Sequence, residues 1–350
     1  MVIFLKKIIT MLLCFIVLFS LCPNKIKASG DYYARSYIVM DYNTGEILEG
    51  KDYTLVRSVA SISKIMTAIV AIENASLYSY VEVKNDILKA YGSSIYLKIG
   101  EIVTMEDLLY GLMLRSGNDA AVTIANGVSG SVEKFVELMN NKAKEIGMKD
   151  SVFNNPSGLD IDDEGNLSSS YDMALLMKYA LNNDTFRKIT STKEYKSKNH
   201  GTWLNKNKLL RQYEYTSGGK TGFTTKARRT LVTSARKGDT EIIIVTLDCG
   251  GDFAKHKQLY EKYFANYRTY KLLKEGSNMF EEYELVCDSN INVTIVNDNI
   301  KDSKIIYSIT NDYADVLLVN AGNKKVIGKC KAIRNINIVK KKNWFKRIFS

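Results

Sequence analysis

The run SISKIMTAIVAIE, residues 61–73, is apolar on nearly every side of a helix, yet it carries a lysine, Lys64, in its first turn. A helix that is apolar all round is not a surface helix; it has to be enclosed by other elements. The chain is therefore expected to fold in layers around this segment. A lysine placed there carries a desolvation cost that packing alone does not offset. Ser61 stands three residues earlier, so hydroxyl and amine share a helix face. A serine hydroxyl is a weak nucleophile until a base takes its proton during attack. A lysine can be that base when its amine is neutral, a state favoured by desolvation, a helix N-terminus and a second cation nearby.

Ser-x-x-Lys by itself is a poor signal, since the chain holds it at Ser61/Lys64, Ser131/Lys134, Ser217/Lys220 and Ser234/Lys237. The Ser131 pair opens a polar amphipathic helix, and the Ser234 pair runs into a hairpin turn. Only Ser61/Lys64 begins an enclosed helix. Two further segments fit the same chemistry. In LRSGNDAA, Ser116 and Asn118 offer a hydroxyl and an amide two residues apart, suited to relaying a proton and holding a peptide carbonyl; Ser197/Asn199 repeats the spacing, and a helix-ending turn is the alternative. In GGKTGFTT, Lys220, Thr221 and Gly222 precede a strand beginning near Arg229. A cation and a hydroxyl beside a glycine on an edge strand let a substrate lie along the backbone with its carboxylate held. A polar turn is the alternative.

The pattern around these motifs is mixed. RSYIVMDYNTGEILE reads as two short strands joined at Asn43-Thr44-Gly45, and RTLVTSARKGDTEIIIVTLD as a hairpin turning at Lys237-Gly238-Asp239. Helical periodicity dominates residues 80–200, with Thr104 near the capping-box spacing and Ser169 or Ser170 at a cap position. AKHKQLYEKYFANYRTYKLL, residues 254–273, reads as one long helix whose Tyr/Phe stripe is core packing. Beyond Gly276, short β-rich runs alternate with Asn/Asp/Gly turns, which predicts a small all-β domain over 277–339.

In the order Ser-x-x-Lys, Ser-x-Asn, Lys-Thr-Gly, the three motifs match the active-site set of penicillin-binding proteins and β-lactamases. The chain resembles one family in particular, the serine-type D-alanyl-D-alanine carboxypeptidases, or low-molecular-mass penicillin-binding proteins. SVASISKIMTAIVAIE, GSSIYLKIGEIVTMEDLLYGLMLRSGNDAA, SVFNNPSGLD, NLSSSYDMALLMKYAL and GGKTGFTTKARRTLVTSA resemble its blocks in order, over residues 32–275. The resemblance implies an α+β fold of the DD-peptidase/β-lactamase-like transpeptidase type. An antiparallel sheet flanked by helices would meet a helical subdomain at the site, and a small C-terminal all-β domain would follow. It implies that Ser61 attacks the penultimate D-alanine carbonyl and Lys64 accepts its proton. Ser116 and Asn118 would serve the leaving group and the donor peptide. Lys220 and Thr221 would hold the terminal carboxylate beside Gly222, and the backbone amides of Ser61 and Phe223 would hold the oxyanion. Stem peptides ending in D-Ala-D-Ala would be the substrates and β-lactams covalent inhibitors, with no cofactor and no metal. Two positions depart from the family pattern: Gly219 replaces a bulky apolar residue, and Ala227-Arg228 stands where Ala-Gly is common. Many members also carry a basic residue shortly after the last core strand, for the substrate carboxylate. His256 lies near that position, a surface helix histidine being the alternative.

The N-terminus reads as a separate device. A basic pair at Lys6-Lys7, an apolar run over 8–22 and small residues ending at Ala28 fit a secretory signal, residues 1–28; an uncleaved anchor is the alternative. Leu21 before Cys22 argues against lipid attachment. The catalytic domain is then read as 29–276. Of the formal charge of +11, four lysines lie in the leader, which leaves +7 on the rest. An exported basic protein suits an anionic wall or membrane surface and has no use for nucleic acid. Outside the leader only Cys249, Cys287 and Cys330 remain, so at most one disulfide forms, Cys287 with Cys330 being the pair considered. His200 and His256 give no metal spacing. The final residues, 340–350, combine five cations with Trp344, Phe345, Ile348 and Phe349, a composition that can lie on an anionic membrane.

Three rivals differ in class. A class A β-lactamase needs a deacylating glutamate; Glu137 with Asn140 misses the usual spacing, and Glu164 has no such partner. An endopeptidase cutting D-alanyl cross-links would use the same residues. A catalytically silent wall-binding or antibiotic-sensing domain would have no reason to retain them all.

Overall fold

The computed structural model describes residues 32–160, 165–296, 303–320 and 323–334. The leader, Glu164 and the 340–350 tail lie outside them. Five antiparallel strands form the central sheet: β1 (Ala34–Asp41), β2 (Ile47–Lys51), β3 (Thr216–Thr224), β4 (Arg228–Lys237) and β5 (Thr240–Cys249), in the order β2-β1-β5-β4-β3. The expected β1–β2 and β4–β5 hairpins are both present. The β-branched residues of β4 and β5 point alternately to the two faces. Val232, Ile243 and Val245 belong to one core, and Leu231, Ile242 and Ile244 to the other. The edge strand β3 carries Lys220-Thr221-Gly222.

Helix α1 (Lys64–Asn74), entered through a 3₁₀ turn at Ala60–Ser63, is buried from Lys64 to Ala71. It is enclosed, as its apolar circumference required, by α2 (Met105–Tyr110), α3 (Asn118–Ser129), α4 (Val132–Ile146), α5 (Ser170–Ala180) and α6 (Asp184–Ser191) on the first face of the sheet. Thr104, Ser131 and Ser169 cap α2, α4 and α5, each side chain accepting from a backbone N–H three residues on. Glu137 is exposed on α4, away from any reacting group. The arrangement is the α+β transpeptidase-type fold expected from the motifs.

Helix α7 (Asp252–Asn266) covers the second face with Leu259, Tyr260, Tyr263 and Phe264. The long helix expected over 254–273 stops at Asn266. Residues Tyr267–Leu273 form a strand, β6, which pairs with β9 (Ile291–Val296). Tyr267, Thr269 and Tyr270 are good strand formers, and their cross-strand partners Val296, Thr294 and Val293 are supplied only by chain that comes later. A helical reading of 267–273 has no access to that partner.

A second five-stranded sheet is formed by β7 (Gly276–Phe280), β8 (Tyr283–Cys287), β10 (Ser303–Thr310), β11 (Tyr313–Asn320) and β12 (Asn323–Arg334), ordered β7-β8-β12-β11-β10. Their inner face holds Leu285, Val316 and Ala332 around the Cys287–Cys330 disulfide, and Cys249 is a buried free thiol. Thr294 Oγ1 donates to the buried Asp41 Oδ2 at 2.7 Å, tying this region to β1.

Candidate active site

A tight turn presents Ser61. Ala60 before it has a φ of 52°, a left-handed conformation that costs a non-glycine residue roughly 1–2 kcal/mol. Three groups hold it there. Thr230 Oγ1 of β4 donates to Val59 O at 2.9 Å, and Ser63 Oγ donates to Ala60 O at 2.8 Å. Gly158 presses on the same carbonyl so closely that a Cβ built on it would lie 2.1 Å from Ala60 O. On the open side, a Cβ on Gly222 would lie 3.0 Å from Ser61 N, so only glycine lets the edge strand approach the nucleophile's amide so closely.

Lys64 Nζ has three neighbours: Ser157 O at 2.5 Å, Asn118 Oδ1 at 2.7 Å and Ser61 Oγ at 3.0 Å. The first two are acceptors only and take two amine hydrogens. In the neutral amine the lone pair is what remains, and it faces the Ser61 hydroxyl. The neutral form is brought within reach at neutral pH, because burial, with Lys206 as a second cation, lowers the pKa to about 7. Between that value and the unfolded lysine's 10.5, the unfolded chain binds a proton that the folded one does not. This group alone therefore makes stability rise with pH across that window.

The supporting frame fixes both acceptors. Asn155 Oδ1 accepts from the N–H groups of Ser157 and Gly158, turning the Ser157 carbonyl toward the lysine, and Thr67 Oγ1 donates to Pro156 O. Asn118 opens α3; its Nδ2 donates to Tyr91 O, so its oxygen is left for Lys64. Next to it, Asp119 accepts from Ile95 N, Leu97 N and Ser94 Oγ and so secures the loop that carries Tyr91 and Ser93.

Ser116 sits at the end of a π-helical stretch with φ 63° and lines the cleft. Lys220 lies behind it, fully buried, donating to Ser116 Oγ (2.9 Å) and to Thr221 O (2.7 Å). Burial and the neighbouring Lys64 and Lys206 amines push its pKa well down. Thr221, not Lys220, reaches the cleft of about 380 Å³, together with Ser61, Ser116, Lys206, Arg229 and Phe253. Ser61, both lysines, Ser116, Asn118 and the Lys-Thr-Gly strand are thus brought together.

His256 is not. It faces neither solvent nor the cleft but lies wholly buried under the second face of the sheet, between Thr233 Oγ1 (2.7 Å) and Thr246 Oγ1 (3.0 Å), and desolvation lowers its pKa to about 3. Both expectations for it are corrected: it is a neutral core histidine. The reason is helical phase, since it stands between Asp252 and Tyr260 on the buried stripe of α7. The cations that do line the cleft, Lys206, Lys208 and Arg229, were not foreseen. Lys206 donates to Ser93 Oγ at 2.9 Å, and Arg229 pairs with the buried Asp252 at 2.8 Å with its guanidinium over Phe253. Arg229 carries no mark in the sequence; the fold places it directly opposite Phe223 across β3–β4. The two departures also find their places: Gly219 has φ 144° with Val232 O close by, and Arg228 takes φ 60°, a conformation in which glycine is at ease.

A serine paired with a neutral lysine, on a helix wedged between an antiparallel sheet and a helical region, defines a serine acyl-transfer peptidase of the penicillin-interacting class. Residues 23–251 match the D-alanyl-D-alanine carboxypeptidase family, and the chain belongs to it. It is 33% identical over 293 residues to the D-alanyl-D-alanine carboxypeptidase DacF of Bacillus subtilis, covering 78% of this chain and 75% of that one. Among solved structures, penicillin-binding protein 5 of Haemophilus influenzae superposes with a TM-score of 0.78 at 26% identity, over 87% of this chain and 97% of that one. The D-alanyl-D-alanine carboxypeptidase of Mycobacterium tuberculosis superposes with a TM-score of 0.64 at 31% identity, over 67% and 92%.

Proposed function

We propose that the chain removes the terminal D-alanine from peptidoglycan stem peptides through an acyl-enzyme on Ser61. The single observation that carries this is the Lys64 amine, whose two acceptors leave its lone pair on the Ser61 hydroxyl. Ser61 Oγ bonds to the carbonyl carbon of the penultimate D-alanine as its proton passes to Lys64. The resulting oxyanion is held by the amides of Ser61 and Phe223. Lys64 gives that proton back by way of Ser116, which Lys220 orients, to the departing amine; the C–N bond breaks and D-alanine leaves. Water then cleaves the ester, giving a peptide one residue shorter and free Ser61. A penicillin follows the first half of this path and stays attached.

In this reading Thr221 and Arg229 hold the terminal carboxylate, while Lys220 acts through Ser116. Arg229→Gln is expected to raise KM for a peptide with a free C-terminus by about 10–100-fold, the loss of one charge-assisted bond, with kcat little changed. Arg229→Lys should recover part of it. Steady-state kinetics on free and C-terminally amidated peptides check this; equal effects on both would remove the carboxylate from the account.

The acylation rate is expected to rise with pH and level off, half-maximal near pH 7, because the active form of Lys64 is the deprotonated one. Rapid-mixing measurements with a chromogenic β-lactam at several pH values test it. A flat profile from pH 5 to 9 would assign the base elsewhere.

The deciding experiment on substrate is incubation with a defined pentapeptide and a cross-linked dimer peptide, followed by mass. Shortening of the pentapeptide by a single D-alanine with the dimer intact supports the carboxypeptidase; cleavage of the dimer makes it an endopeptidase. We further assign residues 1–28 as an export signal, 29–276 as the catalytic domain, 277–339 as the β domain and 340–350 as a basic tail held on the extracellular face of the cytoplasmic membrane. Among the described residues no helix is long and apolar enough to cross a membrane.

A further inference from the structure

We propose that the outward face of the C-terminal sheet is a docking surface for an anionic lipid bilayer, separate from the tail. It rests on the reading that the enzyme works at the membrane, and it adds a second point of contact.

A sheet with one solvated face reads as apolar-in, polar-out. Strands β10 and β11 break that rule. Ile305, Tyr307, Ile309 and Val316 point into the domain core, yet their neighbours Ile306 and Leu317 point out. The register places Ile306 opposite Leu317 and Leu317 opposite Val326, so three strands contribute one apolar row to the outward face. Ile306 is 40% exposed and Val326 58%. The next row is Lys304, Val319 and Lys324, and beyond Asp315 on the other side come Lys329 and Lys331. A β-bulge where the β11–β12 register shifts at Val316/Leu317 turns Lys324 and Val326 to the same side as Lys329 and Lys331. Without it these residues would project from opposite faces.

An exposed apolar row rimmed by charge marks an interaction surface. The rim decides the partner. Four lysines stand against Asp315 and Glu284, and Glu284 is at the far end of the face, accepting from Ser277 Oγ. Long lysine stems can lie along an apolar patch while their ammonium groups reach lipid phosphates. Strand β12 supplies three of these lysines and Val326 itself, and in the sequence it is followed by residues 335–350, which are again cationic and aromatic.

The test uses the full mature chain with vesicles of phosphatidylcholine alone and of equal parts phosphatidylcholine and phosphatidylglycerol. Lys304→Gln with Lys324→Gln is expected to weaken binding to the anionic vesicles about 25-fold, at roughly a fivefold loss per lysine, and to leave binding to neutral vesicles unchanged. Val326→Asp should weaken binding to both. Penicillin labelling of each variant reports that the fold and the catalytic reading stand independently. A tail variant, Trp344→Ala with Phe345→Ala, separates the two contacts: loss there with parent-like face variants overturns this proposal and leaves the tail. Face variants that bind like the parent overturn it, and so does a Val326→Asp protein that only changes from dimer to monomer.

Discussion

Ser61→Ala is expected to bring covalent capture of labelled penicillin to background and to slow D-alanine release by at least about 10⁴-fold, with the fold intact. The rate estimate follows from losing the covalent route altogether, which leaves only binding and the oxyanion site. The intact fold follows from the bonding around the hydroxyl. Its removal takes away one neighbour of Lys64 at 3.0 Å, but Ser157 O and Asn118 Oδ1 still receive the amine's hydrogens. No buried donor or acceptor is stranded, so the melting temperature should stay within a degree or two of the parent. Lys64→Ala differs in kind: it leaves those two acceptors without a donor and removes the largest part of a buried side chain. It should cost about 10²–10⁴-fold in acylation and also lower stability. Labelling, turnover and thermal unfolding of the two proteins together test the division of labour. Label appearing on another residue of Ser61→Ala would dismantle the assignment.

What could be read in advance follows the range of the forces involved. The enclosure of α1 was legible because an apolar circumference is a local property, and so were the caps at Thr104 and Ser169. The Lys-Thr-Gly strand was legible through glycine, the residue that lets a backbone come close to another. The misses are all cases where a distant partner decides. Tyr267–Leu273 became a strand because Ile291–Val296 lies beside it, and His256 went inward because two threonines from β4 and β5 wait there. Lys206 and Arg229 have no local mark of function; they become part of the cleft only when the loop at Ser93 and the start of α7 are folded against them. Ser157 contributes a carbonyl, and a backbone atom leaves no trace in a side-chain pattern.

The two buried lysines show how this site keeps its charges apart. Lys64 is held among two carbonyl oxygens and the nucleophile, Lys220 among a carbonyl and Ser116. Burial lowers the proton affinity of both, Lys64 lowers that of Lys220 further, and Lys206 lowers both. A carboxylate arriving in the cleft meets Lys206 and Arg229, arranged beside two buried lysines whose proton affinity is lowered. The arrangement serves proton transfer in both directions, from Ser61 and toward the leaving amine, without a histidine.

Gly158→Ala is expected to be the most damaging substitution that touches no reacting side chain. Its φ is +76°, and a Cβ would lie 2.1 Å from Ala60 O and 2.5 Å from Ser63 Oγ. Neither neighbour can give way easily, because Ala60 is already held in a left-handed turn and its carbonyl accepts from Ser63. Overpacking and the backbone conformation together should cost about 2–5 kcal/mol, a fall in melting temperature of roughly 5–15 °C for a chain of this size. Relief of the clash must move either the Ser61 turn or the Ser157 carbonyl, and a displacement near 1 Å is enough to slow acylation about 100-fold. Gly130→Ala supplies the control. It has φ +83° at the end of α3 with nothing within 4 Å, so it should show the backbone cost alone, about 1 kcal/mol, and full penicillin labelling. If both glycine variants lost stability equally and both still labelled at the parent rate, the packing of Gly158 against Ala60 would have no part in placing the nucleophile.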